Sequence, residues 1–463
     1  MPLTTAALPA GFDVVLDASV QRHGRVLIGG DPVRAMRLTE AGCAAIDALI
    51  AGASDGTQKA RELARRLVDA GMAHPRPPRA VGPPHATVVV PARDRAEELA
   101  RCLAALGRKT PVVVVDDGSA DRRKIADVAA TYGATLIRRE CSGGPGRARN
   151  AAIEAIDTEL IAFLDSDCIP EPDWIAQLAT HFADPQVGAV APRVRPLSPA
   201  PGAPFRERFA AARSPIDLGP AESAVVPGGR VPYVPTAAIV VRRAALERAF
   251  DPGLRYGEDV DLVWRLHDAG WRVRYDPTVI VEHSEPQSWH RLFARRMRYG
   301  TSAAPLSDRH PGRLAPLVLR PVPAATALLL LARRPDLAAA SIGLQTILLD
   351  GRTRRLGLPR WMTLRWSVVS TGWTLIGIGH AATILAAPAL LVGLFRRRTR
   401  VPAGALLLAA PMKEWHDRHP GMNPLPWTVA CIVDDAAYGL GVWRGCLRHR
   451  TRAPLLPRFS RAS

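Results

Sequence analysis

Val112-Val113-Val114-Val115-Asp116-Asp117-Gly118-Ser119 runs four β-branched residues straight into two carboxylates and a glycine turn. An unbroken apolar run of this kind suits a strand buried on both faces, as in a parallel sheet covered by helices. Comparable runs stand on either side, at Thr87–Val90, Thr135–Ile137 and Leu160–Phe163, with starts about 25 residues apart. That spacing leaves room for one crossover helix between strands, so the region reads as right-handed βαβ units building an α/β fold. Ligands bind such sheets beyond the carboxyl ends of the strands. Polar residues stand there: Pro91-Ala92-Arg93-Asp94 after the first strand, Asp116-Asp117 after the second and Asp165-Ser166-Asp167 after the fourth.

Ahead of this region, Arg25–Ile28 and Arg34–Leu38 flank Gly29-Gly30-Asp31-Pro32, a hairpin pattern. Thr39 then precedes a helical spacing of Cys43, Ile46 and Ile50, and a second helix carries Ala60, Leu63 and Leu67 as far as Gly71. Residues 1–75 are therefore read as a small module, 76–85 as a proline-rich, semi-rigid linker, 86–310 as the α/β domain and 311–463 as a basic, apolar helical region. With 463 residues, 48% of them hydrophobic, the chain is neither a disordered protein nor a disulfide-stapled mini-protein. Six cysteines without CxxC spacing, and no leader sequence ahead of them, point to reduced thiols in the cytosol.

The formal charge of +18 is concentrated at one end: residues 311–463 hold 21 Arg and Lys against 6 acids. The same third contains six of the ten tryptophans and the long apolar runs, a mixture suited to an anionic membrane surface and not to nucleic acid. Residues 366–395 carry no charged side chain, longer as a helix than a hydrocarbon core of about 30 Å requires. Gly377, Gly379 and Pro388 interrupt the run, and arginines flank both of its ends, so charge counting gives no orientation. The reading is a membrane-embedded or interfacial region at the cytoplasmic face; a buried helical core or an oligomer interface satisfies the same pattern.

Asp165 and Asp167 end a buried strand two residues apart, where mutual repulsion calls for a cation or for hydrogen-bond donors; a simple Asp turn is the alternative. Gly143-Gly144-Pro145-Gly146-Arg147-Ala148-Arg149-Asn150 opens a helix, which would point backbone amides and the Arg149 fork at a phosphate, or else be a flexible connection. It is neither a P-loop nor a dinucleotide fingerprint. Glu258 and Asp259 begin a helix with an apolar face at Val260, Val263 and Leu266, fitting either helix capping or a catalytic base. His283 follows a short strand at Val279–Val281, and Arg291, Arg295, Arg296 and Arg298 follow it, a functional cluster or a solvated helix face.

The ordered segments VVVPARDR, VVVVDDGS, GGPGRARN, FLDSDCIP and GEDVDLVWRL resemble family 2 glycosyltransferases of the GT-A (Rossmann-like) fold, over about Ala86–Thr301. The leading module, with LTEAGCAAIDALIAG, is similar to winged-helix-like PqqD-type peptide-binding domains. The combination resembles the glycosyltransferases of mycofactocin biosynthesis. That resemblance implies a UDP-sugar donor, with Asp117, Pro91 and Asp94 lining the nucleotide cleft and Arg149, Asp165 and Glu258 on the substrate side. It implies Mg²⁺ or Mn²⁺ held by Asp167 and His283, and Asp259 as general base. Arg295 and Arg296 lie where processive relatives carry a glutamine-arginine-tryptophan motif, which is absent here. The implied reaction is inverting transfer of glucose from UDP-glucose to a peptide-derived redox cofactor, the mycofactocin precursor, building a β-linked oligosaccharide. A polysaccharide or lipid glycosyltransferase, and a non-catalytic peptide-binding scaffold, are the alternatives.

Overall fold

The computed structural model describes residues 6–51, 56–78, 82 and 84–460. Two compact units emerge: Met1–Ser198 with Arg213–Glu285, and Pro199–Ala212 with Pro286–Ser463. Residues 286–310, assigned above to the α/β domain, group with the second unit.

The first unit begins with β1 (Asp13–Leu16), β2 (Gln21–His23), β3 (Val26–Gly29), β4 (Arg34–Arg37), α1 (Glu40–Ile50), α2 (Gln58–Asp69) and β5 (Ala73–Arg76). Strands β2, β3 and β4 form an antiparallel sheet whose expected hairpin closes with Gly29 opposite Arg34. Thr39 caps α1, its hydroxyl accepting the Gly42 N–H at 3.0 Å. Leu27, Ile46, Leu67 and Met72 are fully buried in the module's own core. The proline-rich stretch starts inside a strand, because β5 pairs with β1 and sets Pro75 opposite Val14. Residues 79–81 and 83 of the expected linker lie outside the described residues.

Buried ion pairs fasten this module to the rest of the unit. Arg65 meets Asp184 at 2.8 Å, with both side chains at most 5% exposed. Arg272 grips Asp69 with a two-pronged fork at 2.7 and 2.8 Å. Glu222, itself held by Arg274 at 3.1 Å, takes Arg76 at 2.8 Å and lies 3.8 Å from His74, which within the module reaches Asp17 at 2.9 Å. Although burial alone would raise it, hydrogen bonds from Ser19 and His74 pull the Asp17 carboxyl down to about 2.

After the linker come β6 (Ala86–Ala92), α3 (Ala96–Leu106), β7 (Val112–Asp117), α4 (Arg122–Tyr132), β8 (Thr135–Arg139), α5 (Pro145–Ile153) and β9 (Leu160–Leu164). These four strands are the four expected from the sequence, and they pair in parallel in the order β9-β6-β7-β8. Because β7 and β8 build outward from one side of β6 and β9 joins the other, the strand order reverses between β6 and β9. A crevice opens at such a switch point beyond the carboxyl ends. The unit continues through β10 (Cys168–Pro170), α6 (Trp174–Ala179), β11 (Val187–Pro196), β12 (Ser223–Ala224), β13 (Ala238–Arg242), α8 (Glu258–Asp268) and β14 (Arg272–His283); α7 (Phe205–Ala212) belongs to the other unit. Strand β13 pairs antiparallel with β9 and with β11, making the sheet mixed. The short strand expected at Val279–Val281 is the end of the twelve-residue β14, which runs parallel to β11. Val88, Val90, Val114, Leu164, Val190, Val240 and Val281 fill the core beneath the helices.

The second unit is helical: α7, α9 (Trp289–Gly300), α10 (Ala303–Arg309), α11 (Pro321–Leu331), α12 (Pro335–Arg355), α13 (Arg360–Leu394), α14 (Arg400–Arg418) and α15 (Pro424–His449). Helix α13 bends at Ala386, two residues before Pro388, as a proline inside a helix requires. Helices α9 and α15 cross at backbone contact, since a Cβ on Gly441 would fall 1.9 Å from the Met297 carbonyl oxygen.

Candidate active site

Three carboxylate clusters stand around the switch point. Asp117 ends β7 and is 5% exposed. It accepts hydrogen bonds from Arg139, from Ser142 at 2.9 Å, and from the Gly143 and Gly144 amides at 3.0 and 2.8 Å. The glycine-rich turn therefore spends these amides on a carboxylate, and not on a phosphate as its sequence suggested. Gly118 makes this packing possible: its φ is +75°, and a Cβ there would lie 2.7 Å from the Ser142 nitrogen. Neighbouring Asp116 is fully buried and paired with Arg138. Asp94, at φ +55°, receives the Ala120 N–H at 2.7 Å, while its own amide donates to the Ser119 hydroxyl at 2.9 Å. Pro91 sits beside it near the end of β6, opposite Val115.

Arg149 organises the second cluster. The residue is 1% exposed, and its guanidinium donates to Asp165 at 2.6 Å and to Glu258 at 3.1 Å, with Phe250 packed 5.3 Å away. The fork read from sequence as facing a phosphate is closed on two carboxylates, tying the end of β9 to the first turn of α8. Burial drives the Glu258 carboxyl up to about 7, helped by the neighbouring Asp259 charge and opposed by Arg149. Asp259 is likewise raised by burial, against the Val260 N–H that its Oδ1 accepts at 2.8 Å. Asp165 shifts the same way through burial, opposed by Arg149. Of the three raised carboxyls, Glu258, at about 7, is the one placed to exchange a proton near neutrality.

Asp167 forms the third cluster. One of its oxygens takes Arg95, and the other lies 3.6 Å from His283 Nε2. Strand pairing brings these groups together, because Cys168 on β10 registers with His283 on β14. Among the described residues no set of three or more His, Cys, Asp or Glu side chains forms a metal cage. Neighbouring ligands of an octahedral Mg²⁺ or Mn²⁺ at about 2.1 Å stand ~3.0 Å apart, so Asp167 and His283 at 3.6 Å would have to draw together by about half an ångström to share one ion. The remaining positions would fall to donor oxygens and water, the usual arrangement for a hard divalent cation beside a diphosphate.

The helical unit holds the last two candidates. Arg296 pairs with Asp434 at 3.0 Å and lies over Tyr438, and Arg295 is half-buried beside it on α9. Arg95, Arg138 and Arg139 were not singled out from sequence. For the last two a signal existed, since β8 is the next strand of the sheet and ends with two arginines in register with Asp116 and Asp117.

The sequence profile described as "Glycosyl transferase family 2" matches residues 87–250, the stretch that contains the parallel strands with Asp94, Asp117, Arg149, Asp165 and Asp167 and stops short of Glu258, Asp259 and His283. The "Pre-mycofactocin glycosyltransferase" of Mycobacterium tuberculosis (strain CDC 1551 / Oshkosh) is 38% identical over 486 aligned residues, covering 99% of this chain and 100% of that protein. "Glycosyltransferase AglE" of Haloferax volcanii is 28% identical over 231 residues, 47% of this chain and 72% of its own. Among solved structures, the mannosyltransferase PcManGT from Pyrobaculum calidifontis, in complex with GDP-Man and Mn²⁺, is 21% identical, covers 73% of this chain and 88% of its own, and has a TM-score of 0.39. An end-to-end identity of 38% with the pre-mycofactocin glycosyltransferase, together with the profile match over residues 87–250, places this chain in the family 2 glycosyltransferases.

Proposed function

We propose that the protein is an inverting glycosyltransferase that moves glucose from UDP-glucose onto the peptide-derived redox cofactor mycofactocin, at its precursor stage, extending a β-linked oligosaccharide. The acceptor follows from the end-to-end 38% identity with the pre-mycofactocin glycosyltransferase. The observation that carries the chemistry is the Arg149 bridge, which holds Asp165 and Glu258 together and so sets Asp259 beside the switch-point crevice. In this reading Pro91, Asp94 and Asp117 form the floor for the nucleobase, and Asp165 faces the donor. Asp167 and His283 would hold Mg²⁺ or Mn²⁺, which when bound neutralises charge developing on the departing diphosphate. Asp259 takes the proton of the acceptor hydroxyl as that oxygen attacks the anomeric carbon in line. A carboxylate lifted above its ordinary range is the better base for that step. One base and no covalent nucleophile give a single displacement, hence inversion and a β-linkage from an α-linked donor.

The N-terminal module is assigned the peptide end of the acceptor. Strand β4 pairs only with β3 among the described residues, so its outer edge is open to strand addition. The helical unit is assigned to the cytoplasmic face of the membrane. Among the described residues, 27 of the 30 exposed large apolar side chains lie between Val318 and Phe459, and α13 is long and apolar enough to cross a bilayer with only 22% of its apolar window buried. Incubation with a panel of UDP-sugars, followed by mass spectrometry of the peptide product, tests the assignment. UDP-glucose should give stepwise hexose additions, and chelation with EDTA should stop them. Transfer undiminished in EDTA by an Asp167→Ala variant would remove the metal from the scheme.

A further inference from the structure

A cleft of about 560 Å³ opens in the helical unit, within the range typical of small-molecule sites. Phe205 of α7 with Trp289 and Phe293 of α9 form one wall, and Leu425, Val429 and Val433 of α15 form the other. Trp289 and Phe293 stack with centroids 5.3 Å apart and planes 19° apart, giving a flat and rigid surface. Every lining residue is apolar. A nucleotide, sugar or peptide entering here would leave its polar groups without partners, a cost that selects a ligand with nothing to satisfy.

The cleft continues into a longer feature. Leu425, Val429 and Val433 are exposed, and the row proceeds along the same face of α15 through Leu440, Trp443 and Leu447. From 425 to 447 this stripe extends about 33 Å at the α-helical rise. The opposite face of α15 is packed, with Asp434 and Asp435 buried at 3% and 1%. The stripe ends among exposed arginines, Arg444, Arg448, Arg450 and Arg452. A helix with one open apolar face and an arginine-rich end lies in the boundary between headgroups and tails of an anionic bilayer. A second copy of the chain is the weaker occupant, since its corresponding region carries the same excess of positive charge and like charges would be juxtaposed.

We propose that the aromatic cleft between α7, α9 and α15 takes up one acyl chain of a membrane phospholipid, with the α15 stripe seated among the neighbouring chains and the terminal arginines against anionic headgroups. This rests on, and deepens, the membrane placement proposed above; it is independent of the hexose transfer. The test uses the full-length protein with phosphatidylcholine–phosphatidylglycerol vesicles whose acyl chains carry bromine, a contact quencher of indole fluorescence. The protein should sediment with the vesicles and lose emission relative to unbrominated lipid. Trp289→Phe should remove part of the quenchable emission, whereas Trp174→Phe, which alters a buried residue of the sheet unit, should remove none. Val429→Lys, at an exposed position on the mouth, should protect Trp289. Sedimentation with vesicles but identical quenching in Trp289→Phe and wild type would overturn the cleft assignment and leave the membrane placement standing. Failure to sediment would overturn both. A dimer in sedimentation velocity that Val429→Lys dissociates would give the cleft to a second copy instead.

Discussion

Arg149 is buried between two carboxylates, Glu258 with a side chain 9% exposed and Asp165 with one 33% exposed, so the Glu258 side of the bridge is the one shielded from water. Breaking a buried pair by removing one partner costs about 3–5 kcal/mol, because a charge is left uncompensated. Arg149→Met should lower stability by that amount in denaturant titration, and Arg149→Met/Glu258→Met should recover part of the loss; an unchanged midpoint in the single variant would contradict the bridge. Glu258 gives a pH signature. Its carboxyl rises from an ordinary value of 4.5 to about 7, so the folded state holds a proton that the unfolded chain has released. The associated stability is complete below 4.5 and is lost as pH rises through 7. The melting temperature of wild type should therefore fall relative to Glu258→Gln across that window; a constant difference would show that the pair is not coupled to folding. At this scale the sequence showed the acids at element ends and was silent about their partners. Asp165-Ser166-Asp167 and Glu258-Asp259 are visible as acids at element ends, but that Arg149 faces them rather than a phosphate depends on burial 16 and 109 positions away along the chain.

Parallel strands were legible because their apolar runs are continuous and evenly spaced, whereas β11 and β13 were not, and of β14 only the Val279–Val281 end was, because long loops and an antiparallel pairing break the βαβ rhythm. The short β1 and β5 were missed for a related reason: β5 contains Pro75 and reads as the start of a linker until its partner is known. That pairing changes what the N-terminal module means. It is fastened by Arg65–Asp184, Arg272–Asp69 and the Glu222 cluster, so deleting residues 1–75 would strip partners from Asp184, Arg272 and Glu222. Arg65→Met should cost about 3–5 kcal/mol while Arg65→Met/Asp184→Leu restores most of it, as judged by denaturant midpoints. Peptide binding is better tested by substitution at the open edge. Successive N–H groups alternate in direction along a strand, so of Ala35→Pro and Met36→Pro one removes an N–H that faces β3 and the other an N–H that faces outward. The variant that keeps the β3 pairing should raise the acceptor KM and leave donor hydrolysis unchanged; unaltered acceptor kinetics in both would assign the edge a structural role.

For the whole molecule, composition already separated a nearly neutral α/β part from a basic, apolar helical part, and the exposed side chains of α13 and α15 give that contrast a physical form. What composition could not reveal is that residues 199–212, lying within the span of the α/β domain, fold with the helices, since only three-dimensional packing joins Phe205 and Phe209 to Trp289 and Trp427. The account as a whole depends on hexose transfer with Asp259 as the base, and the direct measurement is mass spectrometry of the peptide acceptor after incubation with UDP-glucose, comparing wild type with Asp259→Asn. A general base contributes about 10²–10⁴ in rate, so wild type should add hexoses one after another, while the variant, folded with an unchanged circular dichroism spectrum, should add almost none over the same interval. Equal hexose addition by the two proteins would contradict the account.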